Sequence, residues 1–126
     1  MPSQPVLSPN APQPKGPYSQ GVRAGDFLFV SAQGPFDPKT GKIIGDGIEA
    51  QTRQTLENVR AIVEAAGLTL RDVVRVSVFL KNASDFQIMN GVYTTFFPEN
   101  PPTRTTLEAG IPIPGALLCI DAIAHR

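Results

Sequence analysis

The sequence predicts an α+β fold, with two helices packed on one face of a mixed or antiparallel sheet. Three observations predict it. Residues 48–66 and 85–97 carry apolar side chains at helical spacing. Five shorter stretches, at 19–23, 27–33, 72–81, 103–109 and 116–125, read as strands. Their order along the chain is ββαβαββ, which places each helix between strands rather than in a separate bundle.

The chain begins with a proline-rich arm, residues 1–17, holding Pro2, Pro5, Pro9, Pro12, Pro14 and Pro17. Proline fixes φ and removes a backbone donor, so the arm is expected to run extended. It is either a free tail or a strap laid over the body, joining it at "GPYSQ". Residues 19–33 read as a hairpin turning at Ala24-Gly25-Asp26. In "FLFVSAQ", alternation puts Phe27, Phe29, Ser31 and Gln33 on one face and Leu28, Val30 and Ala32 on the other. "GPFDPKTGK" is a loop.

In the first helix, Ile48, Thr52, Thr55, Leu56, Val59, Ile62, Val63 and Ala66 form one stripe, and Gly67 is a plausible stop. "DVVRVSVFLK" alternates, with Val74, Val76, Val78 and Leu80 facing one way and Arg75, Ser77 and Lys81 the other. Ser84 or Asp85 is the expected cap of the second helix, which Pro98 closes. The strands 103–109 and 116–125 are joined by "GIPIPG". The helix-free sheet face is expected to carry Arg104, Thr106, Ser31, Gln33, Arg75, Ser77 and Cys119. A face that mixed is neither core nor ordinary solvent surface, which motivates an oligomer.

Composition narrows the function classes. The 126 residues suit a single domain. Lys+Arg and Asp+Glu both number 11, so no basic excess exists to neutralise phosphates, and no aromatic or basic stripe suggests nucleic-acid binding. One cysteine allows no internal disulfide, which is compatible with the cytosol. No apolar run reaches transmembrane length, and the N-terminus lacks a signal-peptide pattern. With one Cys and one His there is no metal-site spacing.

Arg104 in "NPPTRTTLEAG" is the residue to explain. Arg104, Thr106 and Glu108 share a side of the strand. Four strand residues span roughly 13 Å, so Glu108 is too distant to pair with Arg104 along the strand. A guanidinium suits a planar carboxylate, held by two parallel hydrogen bonds. The plainer alternative is an interface or surface salt bridge. Tyr18 is either an aromatic anchor for the arm or a phenol that orients substrate or water. Ser31 is a small mid-strand residue, and Asn90, beside Gly91, is either solvent-facing or a clamp on backbone or ligand. Strand propensity explains Thr106, and burial as a small hydrophobe explains Cys119. His125, penultimate in the chain, reads as solvated.

The segments "SPNAPQPKGPYSQGV", "LFVSAQGPFDPKTGKI", "QTRQTLENVRAIVEAAGLTLRDVVRVSVFL", "FQIMNGVYTTFF", "PPTRTTLEAG" and "CIDAIA" together resemble the RidA/YjgF/UK114 family of reactive-intermediate imine and enamine deaminases. The resemblance spans nearly the whole chain. It implies a chorismate-mutase-like fold and a cytoplasmic homotrimer with sites between subunits. It also implies hydrolysis of short-lived enamines and imines, of the 2-aminoacrylate or 2-iminopropionate type, to 2-keto acids and ammonia. No metal or organic cofactor is expected. By position, Arg104 would grip the substrate carboxylate, with Tyr18 as a second catalytic residue. Ser31, Asn90, Thr106 and Cys119 would line the pocket. Thr106 stands where the family often has Cys. Cys119 stands where archetypal deaminases carry the Glu thought to position the attacking water. That substitution suggests a changed substrate range. It also leaves an alternative, a non-catalytic module that binds small carboxylates in the same intersubunit cleft.

Overall fold

Residues 3–45 and 47–126 are described by a computed structural model of the chain. The elements are β1 (Gln4–Val6), β2 (Gly21–Ala24), β3 (Phe27–Gln33), α1 (Ile48–Ala65), β4 (Val73–Leu80), α2 (Phe86–Phe96), β5 (Thr103–Glu108) and β6 (Leu118–His125). Short 3-10 turns at Leu70–Asp72 and Ala83–Asp85 lead into β4 and α2. The strands form one sheet in the order β1-β2-β3-β6-β4-β5. Only the β4–β5 pair among these neighbours is parallel. This is the α+β architecture the sequence predicts, with one strand added.

The added strand comes from the arm. Gln4–Val6 pairs antiparallel with β2, and Ser8 and Ala11 are buried. Pro2 lies outside the described residues. What fastens the arm is Gln20, itself buried. Its carboxamide oxygen accepts the Ser8 N–H at 2.5 Å, and its nitrogen lies 2.9–3.4 Å from the carbonyls of Ser8, Ala11 and Pro12. Prolines leave the arm few donors of its own, so one buried amide supplies the missing partners. Gln20→Leu is expected to lower unfolding stability by about 2 kcal/mol, because buried backbone groups lose their partners. Urea denaturation checks this, and an unchanged midpoint would show that the arm is held by other contacts.

Leu28, Leu56, Ile62, Leu80, Met89, Leu118 and Ile120 are fully buried between the sheet and the two helices. Each such side chain contributes roughly 1.5–3 kcal/mol relative to exposure. A β-carbon on Gly21 would lie 2.9 Å from the Ile62 methyl and 3.3 Å from the Phe29 carbonyl, so glycine lets β2 approach α1. The stripe on α1 also includes Gln51 and Asn58, which sequence patterning places outside it. Gln51 binds the carbonyls of Ile44 and Gly115 and the N–H of Leu117. Asn58 binds the carbonyls of Gly34 and Phe36.

Two irregularities correct the predicted faces. The β3–β6 register shifts between Val30 and Gln33, so Gln33 is buried and Ala32 is exposed, the reverse of strict alternation. The β4–β6 register shifts between Val73 and Arg75, so Val73 is buried while Val74 is 44% exposed. An extra residue in one strand inverts the alternation beyond it.

A third correction concerns Arg104 and Thr106. In the parallel β4–β5 pair, Arg104 lies opposite Val76 and Thr106 opposite Val78, both buried valines of the helix side. Arg104 and Thr106 therefore face the helices rather than the open face. The open face keeps Ser77, Arg75 and Cys119, where Cys119 pairs across from Phe79. Alternation determines which residues of β5 share a side, but only pairing with β4 determines which side it is.

The second helix is also started differently. Asp85 occupies the cap position without a side-chain cap hydrogen bond. Instead the Glu108 carboxylate of β5 accepts the Ala83 N–H at 2.8 Å. No described helix is long and apolar enough to cross a membrane.

Candidate functional site

β5 is the edge of the sheet, and its Arg104 reaches α2. On α2, Phe86, Asn90 and Tyr93 are spaced by four and three residues, so they share one helical face. Arg104 reaches that face. Its Nη1 donates to Asn90 Oδ1 at 2.8 Å. The guanidinium carbon lies 4.7 Å from the Tyr93 ring centre and 5.7 Å from that of Phe86. Cation–π contact and the amide bond hold the head group in one plane. The ion pairs among the described residues, Arg53–Glu49 and Arg60–Glu57, leave Arg104 without a carboxylate. Most of its five N–H donors remain for another acceptor. Arg104, Asn90 and Tyr93 line a cleft of about 500 Å³ with Thr94, Phe97 and the prolines of the following loop.

Sequence reasoning singled out Arg104 and Asn90 but not Phe86 and Tyr93. The signal that could have found the rings was their helical spacing around Asn90. The Tyr93 hydroxyl is buried without a hydrogen-bond partner among the described residues. Burial pushes its pKa from the ordinary 10.0 up to about 12, and the nearby Arg104 charge opposes the shift only in part. A group whose folded pKa is raised stabilises the fold below its unfolded pKa and loses that contribution as pH rises through the folded value. Stability should therefore decline between about pH 10 and 12 in the native protein. Tyr93→Phe should remove this component, which chemical unfolding at pH 9, 10.5 and 12 would detect.

A second cluster forms where the arm meets β3. Tyr18 is 49% exposed, and its hydroxyl accepts the Lys15 backbone N–H at 3.3 Å. The Ser31 hydroxyl donates to the Ser19 carbonyl at 2.6 Å, and the Ser31 N–H donates to the Gln20 carbonyl at 2.9 Å. Ser31 thus secures the backbone that follows Tyr18, between it and β2. A small cleft of about 50 Å³ opens here beside Lys15, Tyr18, Gln33, Phe36 and Ile113.

Cys119 is half-buried on the open face of β6, with Asp121 two residues on opposite Ser77. Burial raises its thiol pKa, and the Asp121 charge raises it further. The thiol is accordingly neutral at pH 7 and no thiolate nucleophile. The Thr106 hydroxyl is buried without a partner among the described residues. No cluster of three or more His, Cys, Asp or Glu among them could hold a metal ion.

The chain thus bonds Arg104 to Asn90, and Ser31 to the Ser19 carbonyl next to Tyr18, but keeps these two groups apart. Ser31 on β3 and Arg104 on β5 are three strand spacings apart, roughly 14 Å. Cys119 and Arg104 are moreover on opposite faces of the sheet.

Sheet order, helix placement and the separated polar clusters define a chorismate-mutase-like α+β protein. The chain belongs to the RidA/YjgF/UK114 family, since the family model described as Endoribonuclease L-PSP matches residues 8–126. It is 49% identical to a RutC family protein of Pyrococcus horikoshii over 96% of both chains. It is 44% identical to the 2-iminobutanoate/2-iminopropanoate deaminase of Salmonella typhimurium over 98% of both. It superposes on the YjgF gene product of Escherichia coli with a TM-score of 0.91, at 43% identity and 98% coverage of each chain.

Proposed function

We propose that this protein is a homotrimeric deaminase that hydrolyses 2-imino acids, and the enamines that tautomerise to them, into 2-keto acids and ammonia. The observation that carries this reading is Arg104. It is a guanidinium held by Asn90 and two aromatic rings, open to a cleft and unpaired with any described carboxylate. The deaminase name of a 44% identical relative supports it.

The substrate carboxylate lies against Arg104, which fixes the imine carbon. Ser31, Asn90, Thr106 and Cys119 shape the pocket. The Tyr18 phenol, together with a backbone carbonyl near residue 106, orients a water at that carbon. Attack forms a carbinolamine, and its collapse expels ammonia and leaves the keto group. The separation of Arg104 from Tyr18 and Ser31 in one chain supports a site completed by a neighbouring subunit. The open face supports the assembly, because Phe27, Phe29 and Leu107 are each 44% exposed there. Light scattering should give three times the 13.5 kDa chain mass.

A second reading is a carboxylate-binding module without turnover. The neutral thiol of Cys119 favours it, because a thiol orients water poorly. The deciding experiment generates 2-iminobutanoate or 2-iminopropanoate with an amino-acid oxidase or dehydratase and follows its decay. Decay faster than in buffer supports the deaminase. Decay equal to buffer, with 2-keto acids still binding, leaves the module.

A further inference from the structure

Gln20 holds the arm at residues 8, 11 and 12, and Ser31 holds it at Ser19. Residues 13–18 bridge these two points and carry Tyr18 at their end. The bridge folds tightly upon itself. The Tyr18 N–H donates to the Gly16 carbonyl at 2.8 Å, and the Tyr18 ring lies 3.5 Å from where a β-carbon on Gly16 would sit. The phenol accepts the Lys15 N–H, so its own proton is free to be donated outward.

What ties this turn to the body is the Lys15 side chain. Its ammonium donates to the Gly41 carbonyl at 2.5 Å and lies 4.6 Å from the centre of the Phe36 ring. Both partners belong to the loop after β3, and Phe36 lines the same small cleft as Tyr18. That loop is itself braced. Asp37 accepts the N–H groups of Lys39 and Thr40, Phe36 pairs with Ile43, and Asn58 of α1 holds the Phe36 carbonyl. A braced loop makes a firm anchor. A tether through Lys15 therefore restricts the turn next to Tyr18, where neither Gln20 nor Ser31 reaches.

We propose that Lys15 is a positioning residue, which holds the Tyr18 phenol in its water-orienting place by clamping the 13–18 bridge onto the Phe36–Gly41 loop. This rests on the deaminase reading for its kinetic consequence, but its structural consequence stands alone. Lys15→Met keeps the aliphatic stem and the backbone N–H while removing both the carbonyl bond and the cation.

The test uses the full chain in two arms. In the first, both tyrosines carry 3-fluorotyrosine. The sequence has two Tyr and no Trp, so 19F NMR shows Tyr18 beside Tyr93 as an internal reference. Lys15→Met should shift or broaden the Tyr18 signal and leave that of Tyr93 in place, and an unmoved Tyr18 signal overturns the proposal. In the second, imine hydrolysis is followed. Loss of one such tether should lower kcat roughly 3- to 10-fold with KM within about twofold, since Arg104 still binds the carboxylate. Lys15→Arg, which retains a cation and donors, should recover much of the loss. A kcat within about twofold of wild type in Lys15→Met overturns the proposal, whatever the NMR shows. A wild-type protein with no turnover, together with a moved Tyr18 signal, sinks the deaminase reading and leaves the clamp standing.

Discussion

Arg104→Ala is expected to reduce kcat/KM for 2-iminopropanoate by about 10²-fold or more. A guanidinium gripping a carboxylate supplies two charge-assisted hydrogen bonds, each worth about 1.5–3 kcal/mol, and a decade of rate corresponds to about 1.4 kcal/mol. The fold should be little affected, since Arg104 sits on the edge strand and is not itself one of the buried hydrophobic core residues. Arg104→Lys separates charge from geometry. Lysine keeps the positive charge but not the planar fork, nor the flat face that stacks on Tyr93 and Phe86. It should recover only a small part of the activity. Steady-state kinetics with matched thermal melts decides this. Retention of wild-type kcat/KM in Arg104→Ala would remove the carboxylate anchor from the mechanism.

Cys119→Glu is expected to act in the opposite direction. A positioned general base typically contributes 10²- to 10⁴-fold, and a neutral thiol cannot supply that. Restoring a carboxylate should therefore raise imine hydrolysis by at least about 10-fold. The gain is expected to fall short of the full range because Asp121 lies two residues along the same face of β6. The Asp121 charge would disfavour ionisation of the introduced carboxyl, as it does for the native thiol, which weakens the new base's charged form near neutral pH. The activity of Cys119→Glu should accordingly climb with pH across the acid range. Cys119→Ser, similar in size and also uncharged, should behave like the native protein. Unchanged hydrolysis in Cys119→Glu, with Arg104→Ala still damaging, would mean that water is oriented without this position.

The two substitutions also show how the site was legible. Arg104 could be named from sequence through the family resemblance of its strand segment, since the strand pattern removed Glu108 as a partner but left a surface or interface salt bridge as the plainer explanation. Its true partners could not be named. Phe86, Asn90 and Tyr93 are local to α2, but their meeting with Arg104 depends on the fold bringing α2 within its reach, 14 residues beyond Asn90. Glu108 likewise has its use in the Ala83 N–H, 25 residues away, rather than in its own strand. Gln20 read as one letter of a loop motif, yet it binds the arm at three places.

Periodicity and turn chemistry along the chain determined the helices, five of the six strands and the α+β class, because those signals arise from neighbours a few residues apart. Chain pairing decided the rest. Bulges in β3 and β4 exchanged Gln33 with Ala32 and Val73 with Val74. The parallel register of β4 and β5 turned Arg104 toward the helices, and the pairing of β1 with β2 made a strand from a proline-rich arm. A strand's sequence states that its side chains alternate. Which face each set enters depends on hydrogen bonds to a partner remote in the chain, and no local pattern encodes that partner.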